Sequence, residues 1–152
     1  MASRNLDDLL PSIKIKAVNV LSDCAMCDID LIITCTLRTD AEQAALYAQG
    51  RKPLAITNQL RMEARLSPIN DETNAHIVTN APPGHSEHRA HGNTGKSRAF
   101  DVVPLVAGKP VWNDDALWNK IGVIGKNNGL EWAGDWTSFK EKAHFQDSKA
   151  EV

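Results

Sequence analysis

Four of the five histidines in this 152-residue chain fall between residues 76 and 91, and the fifth, His144, stands alone near the C-terminal end. Within the first group, His85-Ser86-Glu87-His88-Arg89-Ala90-His91 places three imidazoles in seven residues. Imidazole is the side chain that binds transition metals and moves protons near neutral pH. The spacing is not the H-E-x-x-H of a helix-borne metal pair, so these rings come from a loop. A His-rich tract alone signals metal weakly, and a polar surface loop with chance histidines accounts for it as readily. Asp101 is more pointed. It lies in Arg98-Ala99-Phe100-Asp101-Val102-Val103, where strand alternation puts Ala99, Asp101 and Val103 on one face. A carboxylate in such an apolar run is costly unless it is paired or binds a metal, and a salt bridge to Arg38 or Arg98 would also satisfy it. His144 belongs to Ala143-His144-Phe145-Gln146; on a strand, Lys142, His144 and Gln146 share a face, and a lone histidine there is more often a hydrogen-bonded core residue than a ligand.

These groups need a scaffold that brings residues 85–91, 101 and 144 together. Ile13, Ala17, Val20, Leu21 and Cys24 recur at helical spacing and predict an amphipathic helix from Ser12. Leu31-Ile32-Ile33-Thr34-Cys35-Thr36-Leu37 is short and rich in β-branched residues, which predicts a buried strand. Thr39-Asp40-Ala41-Glu42 is a capping box opening a helix that Gly50 stops. Gln59 to Leu66 can form a helix between Pro53 and Pro68, and Thr73 to Asn80 a short strand. Ala81-Pro82-Pro83-Gly84 enters a loop that runs to about Lys96, followed by a strand through Asp101 that Pro104 ends. Asn113 can cap a further helix ended by Gly129, with Leu117, Ile121 and Ile124 facing inward. Leu130-Glu131-Trp132 and Ala143-His144-Phe145-Gln146 read as two late strands. The mixture predicts an α+β fold with a small, mainly antiparallel sheet and helices packed against it.

Composition narrows the classes. With 42% hydrophobic and 24% charged residues, the chain is of ordinary globular type and long enough to bury a core without disulfide staples. A net charge of −2, without basic runs, argues against a nucleic-acid partner. No apolar run approaches the roughly 20 residues of a membrane span, which argues against membrane insertion. The start, Met1-Ala2-Ser3-Arg4-Asn5-Leu6-Asp7-Asp8, is polar and acidic rather than a secretory signal, so folding in a cytoplasm is expected. We see no linker or repeat, and expect residues 1–152 to form a single domain and a monomer. Cys24-Ala25-Met26-Cys27 has C-x-x-C spacing but lacks a second ligand pair nearby, and Cys35 lies in an apolar run; buried, inert thiols are expected ahead of metal or redox use.

Three segments taken together carry more. Ser86-Glu87-His88, then Ser97-Arg98-Ala99-Phe100-Asp101, then Glu141-Lys142-Ala143-His144 resemble the three-part signature of the D-alanyl-D-alanine carboxypeptidase and L-alanyl-D-glutamate peptidase family, which includes phage endolysins and VanX- and VanY-type peptidases. Its pattern is S-x-H, a small residue and A-x-D, then an acidic residue three before a final His. Leu37-Arg38-Thr39-Asp40-Ala41-Glu42 resembles the family's Arg-containing strand–helix junction, and Gly129-Leu130-Glu131-Trp132-Ala133-Gly134-Asp135-Trp136 with Phe139-Lys140 resembles the approach to the last motif in phage members. The likeness runs from about Ile32 to Gln146. His88 and Asp101 are thirteen residues apart, a longer gap than the usual pattern, and Ser97 stands in a Gly place; an inserted loop from about Arg89 to Lys96 accounts for the difference. The insertion leaves His85 and His91 as alternatives to His88, which we prefer because it alone follows a serine by two residues.

The resemblance implies a fold like that of hedgehog and the D,D-peptidases, and one Zn²⁺ held by His88, Asp101 and His144. Two histidines and a carboxylate leave a fourth tetrahedral position open, as catalytic rather than structural zinc requires. It implies Glu141 as the general base and acid, Arg38 as a group that orients substrate or stabilises the oxyanion, and Ser86 as a substrate-side hydrogen-bonding group. On a regular strand Glu141 and His144 would face opposite ways, so Glu141 must precede the strand. Trp132, Trp136 and Tyr47 are candidates for the cleft wall or for the core. The implied function is that of a phage endolysin: a zinc peptidase cutting the L-alanyl-D-glutamate bond of peptidoglycan stem peptides, held in the host cytoplasm until a holin admits it to the wall, with no separate wall-binding domain. Two alternatives stand beside it: a D,D-carboxypeptidase or dipeptidase of the same family, and a catalytically silent zinc- or wall-binding module.

Overall fold

The computed structural model describes residues 2–152. Its elements, in chain order, are helix α1 (Pro11–Met26), strand β1 (Asp30–Cys35), helices α2 (Asp40–Ala48), α3 (Leu54–Glu63) and α4 (Asp71–Asn74), strands β2 (Ala99–Val106) and β3 (Lys109–Pro110), helix α5 (Asp115–Asn127), and strands β4 (Glu131–Trp132) and β5 (His144–Gln146). The sheet runs β1-β2-β5-β4, with β3 paired to the far end of β2, and every named pair is antiparallel. The α+β fold expected from the sequence is the fold observed.

The core lies between the sheet and two helices. Ile13, Ala17, Val20 and Cys24 of α1 and Trp118 and Ile121 of α5 pack with Leu31, Phe100, Val102, Trp132 and Phe145 of the strands. Two glycines let α5 come close: an added Cβ at Gly122 would stand 2.4 Å from Trp132, and one at Gly125 only 2.1 Å from Phe145. α5 is thereby pressed on the short strands β4 and β5, too few in residues to hold position by their own ladder. The N-terminal segment adds a second brace. Ser3 bonds both Thr36 and Leu37 through the backbone, and Leu10 and Asp8 bond Ser97, so one segment pins the end of β1 and the entry to β2.

Local signals account for most boundaries. Thr39 caps α2 by accepting from Glu42 N–H at 3.1 Å, and its hydroxyl donates to Glu42 at 3.2 Å, closing the capping box. Pro11 opens α1 at the position where its missing N–H costs nothing. Four expectations need correction. Residues 75–80 form no strand, because Asn70 caps α4 and the chain then runs irregularly to Asn80. The helix between the prolines spans Leu54–Glu63, beginning directly after Pro53 rather than at Gln59. β2 passes through Pro104 to Val106. Val102 N–H bonds Ala143 on the β5 side, and strand alternation turns the nitrogen of Pro104 to that same side, where β5 has already ended. The proline therefore interrupts no ladder bond. The last helix is capped by Asp114, whose side chain accepts from Leu117 N–H at 3.0 Å, rather than by Asn113.

Candidate metal centre and active-site cleft

Antiparallel pairing sets Asp101 of β2 directly opposite His144, the first residue of β5. On the other side of β2 the register with β1 shifts between Ile33 and Cys35, bringing Cys35 opposite Asp101. Such a bulge beside a site re-aims side chains. The loop bearing His88 is fastened to both strands: Arg38 N–H bonds His88 O at 2.9 Å, and Arg98 N–H bonds Glu87 O at 3.0 Å. Ser86 Oγ accepts from His88 N–H at 3.2 Å, which fixes the turn that points the ring inward.

Three donor atoms meet as a result. His88 Nε2 lies 3.2 Å from Asp101 Oδ1 and 3.1 Å from His144 Nδ1, and His144 Nδ1 lies 3.1 Å from Asp101 Oδ1. The outer ring nitrogens have partners of their own. His88 Nδ1 is 2.7 Å from Thr36 O, and His144 Nε2 is 2.8 Å from Gln146 Oε1. A carbonyl and an amide oxygen only accept, so in the neutral rings the protons sit there, assigned from these partners, and His88 Nε2 and His144 Nδ1 turn lone pairs inward. Two lone pairs and a carboxylate oxygen thus face one another with no proton between them. Ligands at about 2.0–2.1 Å from a tetrahedral zinc stand roughly 3.3 Å apart, close to this triangle. The donor set fits a divalent cation with one position left open.

Electrostatics points the same way. Burial disfavours charge on His88 and, against the pull of Asp101, holds its pKa below the ordinary value. Burial also opposes charge on His144, but the hydrogen bond and charge of Asp101, with help from Gln146 and Glu141, raise it. Burial pushes the Asp101 carboxyl upward, yet the positive charge that His88 and His144 can take up, with the hydrogen bonds they donate when so charged, holds it well below the usual carboxylate range. The pull on a proton at His144 and the ionised state of Asp101 express one demand for positive charge, which a metal cation meets at all three donors together.

The other sequence-predicted residues fall around this point. Arg38 Nη2 lies 3.3 Å from Asp101 Oδ2 and its Nη1 donates to Gln43 Oε1 at 3.0 Å. Asp101 therefore has both an ion pair to Arg38 and the two histidines; Arg98 instead faces Glu87, at 4.0 Å. Glu141 precedes β5, with its carbonyl accepting from His144 N–H in a turn, which removes the facing problem of a regular strand. Burial raises the Glu141 pKa, with His144 and Arg38 lowering it and Asp101 raising it. Glu141, Arg38, Ser86, His88, Asp101 and His144 all line one cleft of about 950 Å³, a volume suited to a ligand of several residues. His91 is drawn away: its buried ring has Nε2 3.2 Å from Oε2 of the half-buried Glu87. His85 is exposed on the rim of the cleft.

Cys35 stands within 4.8 Å of donor atoms of His88 and Asp101, but its Sγ approaches the outer nitrogen of His88, at 3.6 Å, behind the triangle. Burial lifts its thiol to about 11, so it stays protonated. Cys24, Cys27 and Cys35 are all free; Cys24 and Cys35 are buried as expected, whereas Cys27, at the end of α1, is exposed. Of the aromatic candidates, Trp136 lines the cleft with its ring centroid 5.6 Å from that of His144. Trp132 is a core residue whose indole N–H bonds Lys142 O at 2.8 Å, and Tyr47 lies under Arg51 at 3.9 Å. Sequence reasoning missed Gln43 and Gln146. Gln146 carried a signal, since a residue two from His144 shares its strand face. Gln43 carried none before its amide was seen to join Arg38 to Thr79 and Ala81.

The D-alanyl-D-alanine carboxypeptidase family profile matches residues 80–147, the stretch that holds His88, Asp101, Glu141 and His144. The match spans less than half of the chain, and over that stretch the chain is similar to this family. The peptidoglycan L-alanyl-D-glutamate endopeptidase CwlK of Bacillus subtilis (strain 168) is 29% identical over 147 residues, which cover 91% of this chain and 73% of that protein. Two solved structures share this fold at low identity. The L-Ala D-Glu endopeptidase ChiX of Serratia marcescens has a TM-score of 0.55 at 20% identity, covering 96% of this chain and 87% of that one. The vancomycin-resistance D,D-pentapeptidase VanY, solved in complex with Zn(II), has a TM-score of 0.55 at 15% identity, covering 91% of this chain and 71% of that one.

Proposed function

We propose that this chain is a zinc-dependent peptidoglycan endopeptidase of endolysin type, which hydrolyses the L-alanyl-D-glutamate bond of stem peptides. The observation that carries the reading is the convergence of His88 Nε2, Asp101 Oδ1 and His144 Nδ1 within 3.1–3.2 Å of one another on the wall of a cleft that Glu141 also lines. The likeness to CwlK across most of the chain favours the L-alanyl-D-glutamate bond over the D-alanyl-D-alanine bond. Release from the host cytoplasm through a holin completes the proposal.

Bound zinc supplies a polarised scissile carbonyl and a water acidified to a pKa of about 7. The remaining work belongs to the chain. Glu141, half-buried and raised in pKa, takes a proton from the attacking water and returns it to the leaving amine. A raised carboxyl is better matched to this double role than an ordinary one, because it gives up its proton less freely between the two transfers. Arg38, with its two terminal nitrogens on Gln43 and Asp101, presents the rest of its fork to a substrate carboxylate or to the developing oxyanion. Ser86 spends its lone pair on His88 N–H and keeps its O–H to donate toward substrate. Trp136, Val78 and Leu46 give the cleft apolar walls that hold a peptide and exclude water.

Digestion of purified muropeptides, with products weighed and a chelator arm alongside, tests the reading. The expected product is a peptide beginning at D-glutamate, formed only without chelator. Free D-alanine in its place identifies a D,D-carboxypeptidase. Zinc binding with no cleavage at all identifies a silent binding module, and chelator-insensitive cleavage rejects the metal.

A further inference from the structure

The two inward-facing histidines are held by different kinds of partner. His88 donates its outer N–H to the carbonyl of Thr36, a backbone group on a fully buried residue that no substitution removes. His144 depends on a side chain: its Nε2 lies 2.8 Å from Gln146 Oε1, two residues along the same face of β5. An amide offers either an acceptor or a donor, and the choice decides the tautomer of the ring. With the oxygen toward His144, the proton resides on Nε2 and Nδ1 carries a lone pair. With the nitrogen toward His144, the proton moves to Nδ1, which is 3.1 Å from Asp101 Oδ1 and would hydrogen-bond there, closing the triangle to a cation. The observed distance set therefore makes Gln146 a two-position selector.

We propose that Gln146 is a positioning residue that holds His144 in the Nε2–H tautomer and so keeps Nδ1 open for the metal. The role is open to a side chain because the ladder leaves it no freedom to drift. Gln146 is paired to Ala99 on one side and Glu131 on the other, in the middle of the sheet. Its side chain lines the cleft, so water has access to the amide and would compete for His144 if the residue were shortened. Outer-sphere partners of metal-bound histidines are worth roughly 10–100-fold in metal affinity. The inference rests on the zinc reading above.

Three proteins test it: the wild type, Gln146→Leu and Gln146→Glu. A carboxylate only accepts, so Gln146→Glu retains the Nε2–H tautomer, whereas leucine offers nothing. Zn²⁺ affinity, measured by competition with a fluorescent chelator, is expected to fall roughly 10–100-fold in Gln146→Leu and to equal or exceed wild type in Gln146→Glu. Long-range ¹⁵N–¹H spectra of the metal-stripped proteins at mildly alkaline pH report the tautomer directly. They are expected to show His144 as Nε2–H in wild type and Gln146→Glu, and as Nδ1–H in Gln146→Leu. Gln146→Leu binding Zn²⁺ within about threefold of wild type, with the tautomer unchanged, overturns the assignment. So does an equal loss of affinity in both variants, the mark of a packing role. A wild type that fails to bind Zn²⁺ overturns the metal reading itself, which keeps the two failures apart.

Discussion

Replacing Gly125 with alanine should destabilise this protein, although the same change in an ordinary helix stabilises it. Gly125 lies within α5, where glycine costs about 1 kcal/mol relative to alanine, so open surroundings would return that amount. Here the new Cβ would stand 2.1 Å from Phe145 Cε1, 2.6 Å from Cδ1 and 2.9 Å from Cζ. Carbon atoms rest about 3.5–4.0 Å apart, so ring or helix must yield by roughly 1.5 Å. Phe145 has nowhere to go: it is fully buried and stacked on Phe100, with ring centroids 5.7 Å apart and planes 22° from parallel. Overpacking of this kind costs about 1–3 kcal/mol, and the short separation argues for the upper end. Set against the propensity gain, the net loss is about 1–2 kcal/mol, or roughly 2–8 °C in Tm for a chain of this size. Urea unfolding of metal-stripped protein, followed by tryptophan fluorescence, reads the sign directly. Because Phe145 and His144 are adjacent on β5, Zn²⁺ affinity should fall as well. Adding Phe145→Leu to Gly125→Ala should recover part of the clash, which a double-mutant cycle would register as coupling. A Gly125→Ala protein as stable as wild type, or more so, would refute the claim that α5 is pressed onto β5 through this glycine.

Three further expectations follow from the site and its braces. Glu141→Gln should lower kcat on muropeptides by roughly 10²–10⁴-fold while Zn²⁺ affinity stays within a few-fold, since the group moves protons without contributing to the donor triangle; retained turnover would remove Glu141 from the base role. Arg38→Lys should lower kcat/KM by roughly tenfold or more, because one ammonium cannot serve Gln43 and Asp101 from separate nitrogens as the guanidinium does; unchanged kinetics would place substrate recognition elsewhere. Lys16 Nζ lies 2.8 Å from Asp147 Oδ2, tying α1 to the end of β5. Burial pushes the Asp147 carboxyl up, but the hydrogen bonds from Lys16 and from Lys149 N–H outweigh it and lower the pKa. A depressed folded-state pKa contributes stability fully above the unfolded value and loses it as pH falls through the folded one. Asp147→Asn should therefore flatten the acid limb of stability below about pH 4 and leave a deficit of no more than about 1 kcal/mol at neutral pH; an acid limb as steep as in wild type would show that the pair does not contribute.

Much of this architecture can be read one segment at a time. The capping box at Thr39, the β-branched run of β1 and the stop at Gly129 depend on neighbours a few residues away, so composition and spacing suffice to place them. The types and order of the converging donors are equally local facts, since an imidazole or a carboxylate is what it is before folding. Other features depend on distant partners. Residues 75–80 lose a plausible strand because no sheet edge reaches them, and Pro104 keeps its place in β2 because β5 ends two residues short of it. Which of the three clustered histidines turns inward was open in the sequence; Arg38 and Arg98 decide it by pinning the backbone on either side of His88, while Glu87 draws His91 away. The same holds for the protons. The sequence states that His88 and His144 exist, but only Thr36 and Gln146, placed by the sheet, settle which nitrogen of each ring faces Asp101. A metal-binding geometry is set to tenths of an ångström, and here that accuracy comes from strand register and helix packing across the whole chain, which no short stretch of residues contains.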